Sequence, residues 1–144
     1  MIRRLTRAPN PPDKAWLVIE KGAAKRFTGI PHESPSSLLL KPFFNMEIQY
    51  HFRREDFHPA PSVEAVLLHL KKKAPPDVEP CDRRLYIRFI RESAGGAGIA
   101  KLLTKKQIST ALKAGAFPCD ITSGTMLYVQ WLCLFRCYLS FIAH

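Results

Sequence analysis

Residues 52–71 read FRREDFHPAPSVEAVLLHLK, and their reading decides the fold. Pro59 and Pro61 each fix φ near about −65° and push the residue before them towards extended geometry. The stretch Phe57-His58-Pro59-Ala60-Pro61-Ser62-Val63 is therefore a stiff, extended loop. It feeds a run of apolar and β-branched residues, Val63 to Leu70, of strand length. Upstream, Asn45 to Phe52 alternates, with Met46, Ile48, Tyr50 and Phe52 on one face and Glu47, Gln49 and His51 on the other. That pattern predicts a half-buried strand near a sheet edge. A β–loop–β pair results. An exposed Phe57 on a stiff loop at a strand's mouth suits the wall of a pocket for a flat ligand such as a base. A plug in the core fits the same residue, and on physics alone the plug is the better reading.

Towards the N-terminus, Ala15-Trp16-Leu17-Val18-Ile19-Glu20 is apolar on both faces and reads as a buried parallel strand. A Pro-rich turn, residues 8–14, separates it from MIRRLTR at 1–7, which reads as the end of a helix. Lys21 to Phe27 predicts a helix with Lys25 and Arg26 exposed near its start. A solvated face is the ordinary fate of such a pair. In the loop TGIPHESPSS, Ser36 or Ser37 is placed to cap a short helix through Leu40.

Towards the C-terminus, Lys71 to Pro80 is charged and Pro-rich. It divides the chain into 1–72, a linker at 73–80, and 81–144. The remainder reads as helical. Asp82 to Glu92 places Leu85, Phe89 and Ile90 on one side, and SAGGAG at 93–98 is a hinge. Thr104 with Gln107 three residues later is a capping-box signature, for a helix that stops at Gly115. A last helix, rich in Leu and aromatics, is expected from Thr125 to Ile142.

A chain of 144 residues makes one ordinary domain at most, and 47% hydrophobic content is normal for a globular protein. Lys and Arg number 22 against 12 acids, a net charge of +10. That excess points to a polyanion partner, nucleic acid before an anionic membrane surface. Cys81, Cys119, Cys133 and Cys137 show no disulfide-like spacing and no secretory signal is visible, which reads as reduced thiols in a cytoplasmic protein. Cys133 and Cys137 share a helix face, but no motif supplies the further ligands zinc needs, so buried thiols are expected and no metal. Gly95, Gly96 and Gly98 follow no strand and precede no Lys-Ser or Lys-Thr, so a phosphate loop is rejected. Arg136 and Gln130 interrupt the apolar stretch from Met126 to Ala143, so a packed helix is expected there in place of a membrane anchor.

Three segments together resemble one family: LVIEKGAAKRF at 17–27, FRREDFHPAPSVEAVLLHL at 52–70, and LLTKKQISTAL at 102–112 with QWLCLF at 130–135. Their order and spacing are similar to the C-terminal part of the Erm ribosomal RNA adenine N6-methyltransferases, which confer erythromycin resistance. The F-x-P-x-P-x-V element is shared with the housekeeping rRNA dimethyladenosine transferases, and EKGAAKRF favours the resistance family.

The resemblance implies methyl transfer from S-adenosylmethionine to the exocyclic nitrogen of one adenine in the large-subunit ribosomal RNA, which blocks macrolide, lincosamide and streptogramin B antibiotics. It places Phe57 on the target adenine, and Lys25, Arg26 and Arg54 on the RNA-facing surface, with Arg53 beside them. It also implies an α/β fold: the last three strands of a Rossmann-like methyltransferase sheet, ordered first, third, second with the third antiparallel, then a small helical rRNA-binding domain. The family's glycine-rich cofactor loop, ribose-binding acid and Asn-Ile/Leu-Pro-Tyr/Phe motif are not in these 144 residues. The expectation is a C-terminal fragment, inactive alone and not binding S-adenosylmethionine alone. Its 15–20 strand edge is left open to an N-terminal half or to a second copy. A small basic RNA-binding module without methyl transfer is the alternative.

Overall fold

The computed structural model describes residues 2–94, 98–118 and 125–142. The chain divides into two units, Met1–Val78 and Glu79–His144.

The first unit is built on a three-stranded sheet. Helix α1 (Ile2–Arg7) leads into β1 (Lys14–Glu20), and helices α2 (Lys21–Thr28) and α3 (Pro35–Leu40) come next. Strands β2 (Phe44–His51) and β3 (Ala65–Lys72) complete it. The order is β1-β3-β2, and β3 runs antiparallel to both neighbours. This is the order and direction that the family resemblance implies. One sheet face carries the core: Leu68 and Leu70 with Ile2 of α1, packed with Leu17, Ile19 and Phe27, among others.

Four local expectations are corrected. First, β1 has no parallel neighbour among the described residues, and its outward side chains are not buried: Trp16 is 55% exposed and Val18 51%. Trp16 stacks on His69 at 4.7 Å and donates from Nε1 to Gln49 Oε1 at 3.2 Å. Second, Tyr50 does not share a face with Met46 and Ile48. The register slips between Ile48, opposite Leu68, and Tyr50, opposite Leu67. Such a bulge inserts one residue and turns the rest of the strand to the other face, which leaves Tyr50 exposed. Third, β3 begins at Ala65, not Val63, because β1 ends opposite it and the chain there enters α2. Fourth, Ser34 is the N-cap of α3, its Oγ accepting from the Ser37 N–H, with Pro35 at the first helical position.

Residues 73–78 pack onto the first unit. Lys73 pairs with Asp77 at 2.7 Å, the Asp77 N–H donates to the Pro42 carbonyl at 2.8 Å, and Val78 is buried.

The second unit holds α4 (Arg83–Ser93), α5 (Lys105–Ala114) and α6 (Tyr128–Ile142). On α4, Tyr86 is fully buried with Phe89 and Ile90, and Leu85 is only half-buried. Tyr86 meets Phe135 edge-on at 5.0 Å, and Phe89 packs against Phe135 at 5.4 Å. The Thr104–Gln107 capping box forms as expected, and α5 ends at Gly115. Helix α6 starts at Tyr128, not Thr125. Gln130, read from sequence as an interruption, is buried and its Oε1 accepts from the Leu127 N–H at 2.7 Å, closing the helix start. Among the described residues no helix is long and apolar enough to cross a membrane. Gly95, Gly96 and Cys119 lie outside the described residues.

Candidate nucleic-acid interface

The β2–β3 connection builds the site. Phe52 leaves β2 with its N–H bonded to the Ala65 carbonyl at 3.0 Å. Residues Arg54–Asp56 then form one turn of 3₁₀ helix. The Asp56 carboxylate closes that turn, accepting from the Arg53 N–H at 2.8 Å. The turn presents Arg53 and Arg54 outward and delivers Phe57 back beside Phe52. The two rings meet edge-on, 5.4 Å apart at 66°. Tyr50 meets Phe52 in the same manner at 4.9 Å, so the bulge in β2 extends the aromatic group by one ring.

A cleft of about 370 Å³ opens here, lined by Phe52, Arg53, Arg54, Phe57, Val63 and Glu64 among others. Phe57 is half-buried on the wall of this cleft, and Arg53 is largely exposed. The Arg53 guanidinium lies 3.8 Å from Glu55 and 4.0 Å from Asp56, long contacts between exposed groups. Such pairs are worth little in water, so the cation stays available to a phosphate. At the rim, Lys21 Nζ meets Glu64 Oε2 at 3.0 Å. The Lys21 hydrogen bond, then its charge, hold the Glu64 carboxyl below its ordinary value.

Lys25 and Arg26 sit elsewhere. They lie in the last turn of α2, not near its start, and Lys25 is half-buried while Arg26 is exposed. Arg26 lines a second cleft with Arg3, Ser36 and Phe27. The end of α2 is held firmly. Gly29 takes the left-handed conformation at φ 75°, its N–H bonds the Lys25 carbonyl, and the Ser34 hydroxyl donates to the Arg26 carbonyl at 2.5 Å. Behind it Glu33 accepts from Ser37 and pairs with Lys41.

The structure therefore brings Phe57, Arg53 and Arg54 together in one cleft whose lining does not include Lys25 and Arg26. Sequence reasoning missed Phe52, Tyr50 and Arg3. Strict alternation put Phe52 on the core face, and only its place directly before Arg53 and Arg54 hinted otherwise.

No group of three or more His, Cys, Asp or Glu able to hold a metal occurs among the described residues. Cys133 and Cys137 are half-buried, short of the full burial expected. The Cys133 thiol donates to the Ala111 carbonyl at 3.1 Å, and burial pushes the Cys137 thiol up.

Comparison with known proteins gives a single answer. A family model described as ribosomal RNA adenine dimethylase matches residues 1–113. The chain belongs to this family. An rRNA adenine N-6-methyltransferase from Bacillus licheniformis is 26% identical over 140 residues, spanning 91% of this chain and 48% of that protein. One from Lysinibacillus sphaericus is 31% identical over 127 residues, 88% of this chain and 49% of that protein. The chain thus spans about half the length of the curated relatives it matches. Among solved structures, the 23S rRNA methyltransferase ErmE superposes with a TM-score of 0.78 at 22% identity, covering 94% of this chain and 58% of that one. A Plasmodium falciparum dimethyladenosine transferase gives 0.63 at 18% identity, covering 94% and 61%. The fold of this family member is accordingly a portion of a Rossmann-like methyltransferase sheet followed by a helical unit.

The family's name implies S-adenosylmethionine as methyl donor. The residues present do not fit it: the described glycines open no loop after a strand, and of the two acids on the aromatic cleft Glu64 is taken by Lys21.

Proposed function

We propose that this chain carries the RNA-engaging portion of an adenine-N6 rRNA methyltransferase of the macrolide–lincosamide–streptogramin B resistance type. The partner is large-subunit ribosomal RNA. The observation that carries the reading is the cleft at the β2–β3 connection, where two aromatic rings stand next to two arginines in a chain of this family.

A base taken out of its stack must be held flat against an apolar surface while its backbone is neutralised. Phe57 supplies the stacking face, and Phe52 behind it fixes the ring's tilt. Arg53 and Arg54 take phosphates on either side. Lys25 and Arg26 add a second backbone contact from the end of α2. Such contacts set affinity and orientation but carry little sequence choice. S-adenosylmethionine would supply the methyl group to the exocyclic nitrogen of the held adenine. That cofactor and the groups that position the amine belong to sequence motifs outside these residues, so the chain alone is expected to be inactive.

Filter binding of the full chain to a large-subunit rRNA hairpin tests the reading. If several phosphates are neutralised, affinity falls by orders of magnitude between about 50 and 200 mM salt. A flat salt response, or equal binding by a chain with Arg53 and Arg54 both changed to Gln, would overturn it.

A further inference from the structure

The end of α2 is tied to the end of α3 through one side chain. Helix ends leave carbonyls without partners. In α2 the Lys25 carbonyl accepts from the N–H groups of Gly29 and Ile30 at 2.9 and 3.0 Å, and the Arg26 carbonyl accepts from the Ser34 hydroxyl at 2.5 Å. That hydroxyl belongs to a relay whose directions follow from its protons, because a hydroxyl has only one to give. Ser34 Oγ gives its proton to Arg26 and accepts from the Ser37 N–H at 3.1 Å. Ser37 Oγ accepts from the Ser34 N–H at 2.8 Å and gives its proton to Glu33 Oε2 at 2.6 Å. The Ser34 carbonyl lies 2.9 Å from the same hydroxyl, but a charged acceptor at shorter range wins the proton. Glu33 Oε1 takes the Lys41 ammonium.

Glu33 is not an ordinary surface acid. Its side chain is 9% exposed, where those of Glu55 and Glu64 on the aromatic cleft are 79% and 66% exposed. It also lies against the turn that ends α2, for a Cβ on Gly29 would collide with its Oε2. A buried ion pair is weak evidence for stability, since the cost of desolvation offsets much of its attraction. What this pair supplies is geometry. One neutralised carboxylate touches both the turn after α2 and the hydroxyl relay behind Arg26.

We infer that Glu33 is the positioning residue for the RNA contact made by Arg26. It touches no RNA itself. By holding the Ser37 and Ser34 hydroxyls it fixes the Arg26 carbonyl, and with it the direction in which the exposed Arg26 side chain leaves the last turn of α2. A cation placed in advance loses less freedom when it meets a phosphate. The inference rests on the reading that the end of α2 adds a backbone contact to those of the aromatic cleft.

Filter binding of the full chain to a large-subunit rRNA hairpin, across a salt series, tests it. Glu33→Gln removes a negative charge, so on net charge alone it would tighten RNA binding. Positioning demands the reverse: a Kd weaker by about fivefold and a salt slope lowered by about one phosphate. Ser34→Ala cuts the relay at the Arg26 carbonyl, changes no charge, and should do the same. In an Arg26→Gln chain, Glu33→Gln should bring no further weakening, since two losses of one contact do not add. Glu33→Gln combined with Lys41→Gln keeps the net charge, lets two amides bond each other, and should restore binding. Circular dichroism and urea midpoints follow the folding of every variant. If Glu33→Gln alone does not fold, Ser34→Ala and the paired amides decide the matter. Tighter or unchanged binding by Glu33→Gln and Ser34→Ala overturns the inference, as does a weakening that persists in full beside Arg26→Gln. A flat salt response of the parent chain overturns the RNA reading and this inference with it. A steep parent response that only Arg53 and Arg54 changes can move leaves the RNA reading standing and overturns the role of Glu33.

Discussion

Replacing Phe57 by alanine separates a base-stacking residue from a core plug, because the structure assigns the two readings different magnitudes. The ring is half-buried and touches one aromatic neighbour, Phe52, edge-on at 5.4 Å. An aromatic pair of this geometry is worth about 0.5–1.5 kcal/mol beyond its buried area. A fully buried Phe→Ala change costs roughly 3–5 kcal/mol, and half that burial contributes correspondingly less. The expected loss of stability is therefore about 1–2 kcal/mol, read as a shift in the urea midpoint at unchanged slope. The RNA term is of similar size but appears in another assay. One base stacked on an aromatic contributes about 1–3 kcal/mol, or roughly 5- to 150-fold in Kd. Fluorescence anisotropy with an rRNA hairpin should show that loss for Phe57→Ala and recovery for Phe57→Tyr. The same hairpin with the displaced adenine made abasic should bind both proteins equally, since the partner of the ring is gone. A stability loss above about 3 kcal/mol with unchanged RNA affinity would refute the reasoning and return Phe57 to the core.

Three further outcomes are expected. Gly29→Ala destabilises the chain by about 2 kcal/mol in urea, since alanine is strained at a left-handed φ and its Cβ would collide with Glu33 Oε2, which accepts from Ser37 in a carboxylate whose Oε1 pairs with Lys41. Thr104→Ala removes the side-chain acceptor for the Gln107 N–H and costs about 1 kcal/mol on the same measurement, with Thr104→Ser near neutral. Lys21→Met lowers stability at pH 7, but the difference from the parent disappears in acid. Lys21 holds the Glu64 carboxyl below its ordinary 4.5, a depressed carboxyl stabilises only while ionised, and that contribution is lost as the pH falls through the folded value, so denaturation curves converge below about pH 4.5.

Much of this protein is legible in one dimension. Prolines at 59 and 61 fix a stiff connection whatever surrounds it, because their φ is set by the ring itself. The Thr104–Gln107 box and the stop at Gly115 are read correctly because caps are made by residues three or four apart. The apolar runs at 15–20 and 63–70 announce strands, and the net charge of +10 is fixed before any side chain is placed.

Tertiary structure decided whatever depends on a neighbour distant in the chain. The alternation from Met46 to Phe52 carries no sign of a bulge. The bulge arises from the register of β2 against β3, and it turns Tyr50 to the other face. Whether Gln130 interrupts a helix or starts one depends on where the Leu127 N–H finds its acceptor. The basic residues posed the same problem: charge alone groups Lys25 and Arg26 with Arg53 and Arg54, and the fold parts them. One pair rides on a turn between strands and the other on the end of a helix, and only the first pair shares a cleft with Phe57. Composition and periodicity are properties of the sequence itself. Faces, edges and clefts are relations between segments, and the chain acquires them only when strands choose their partners.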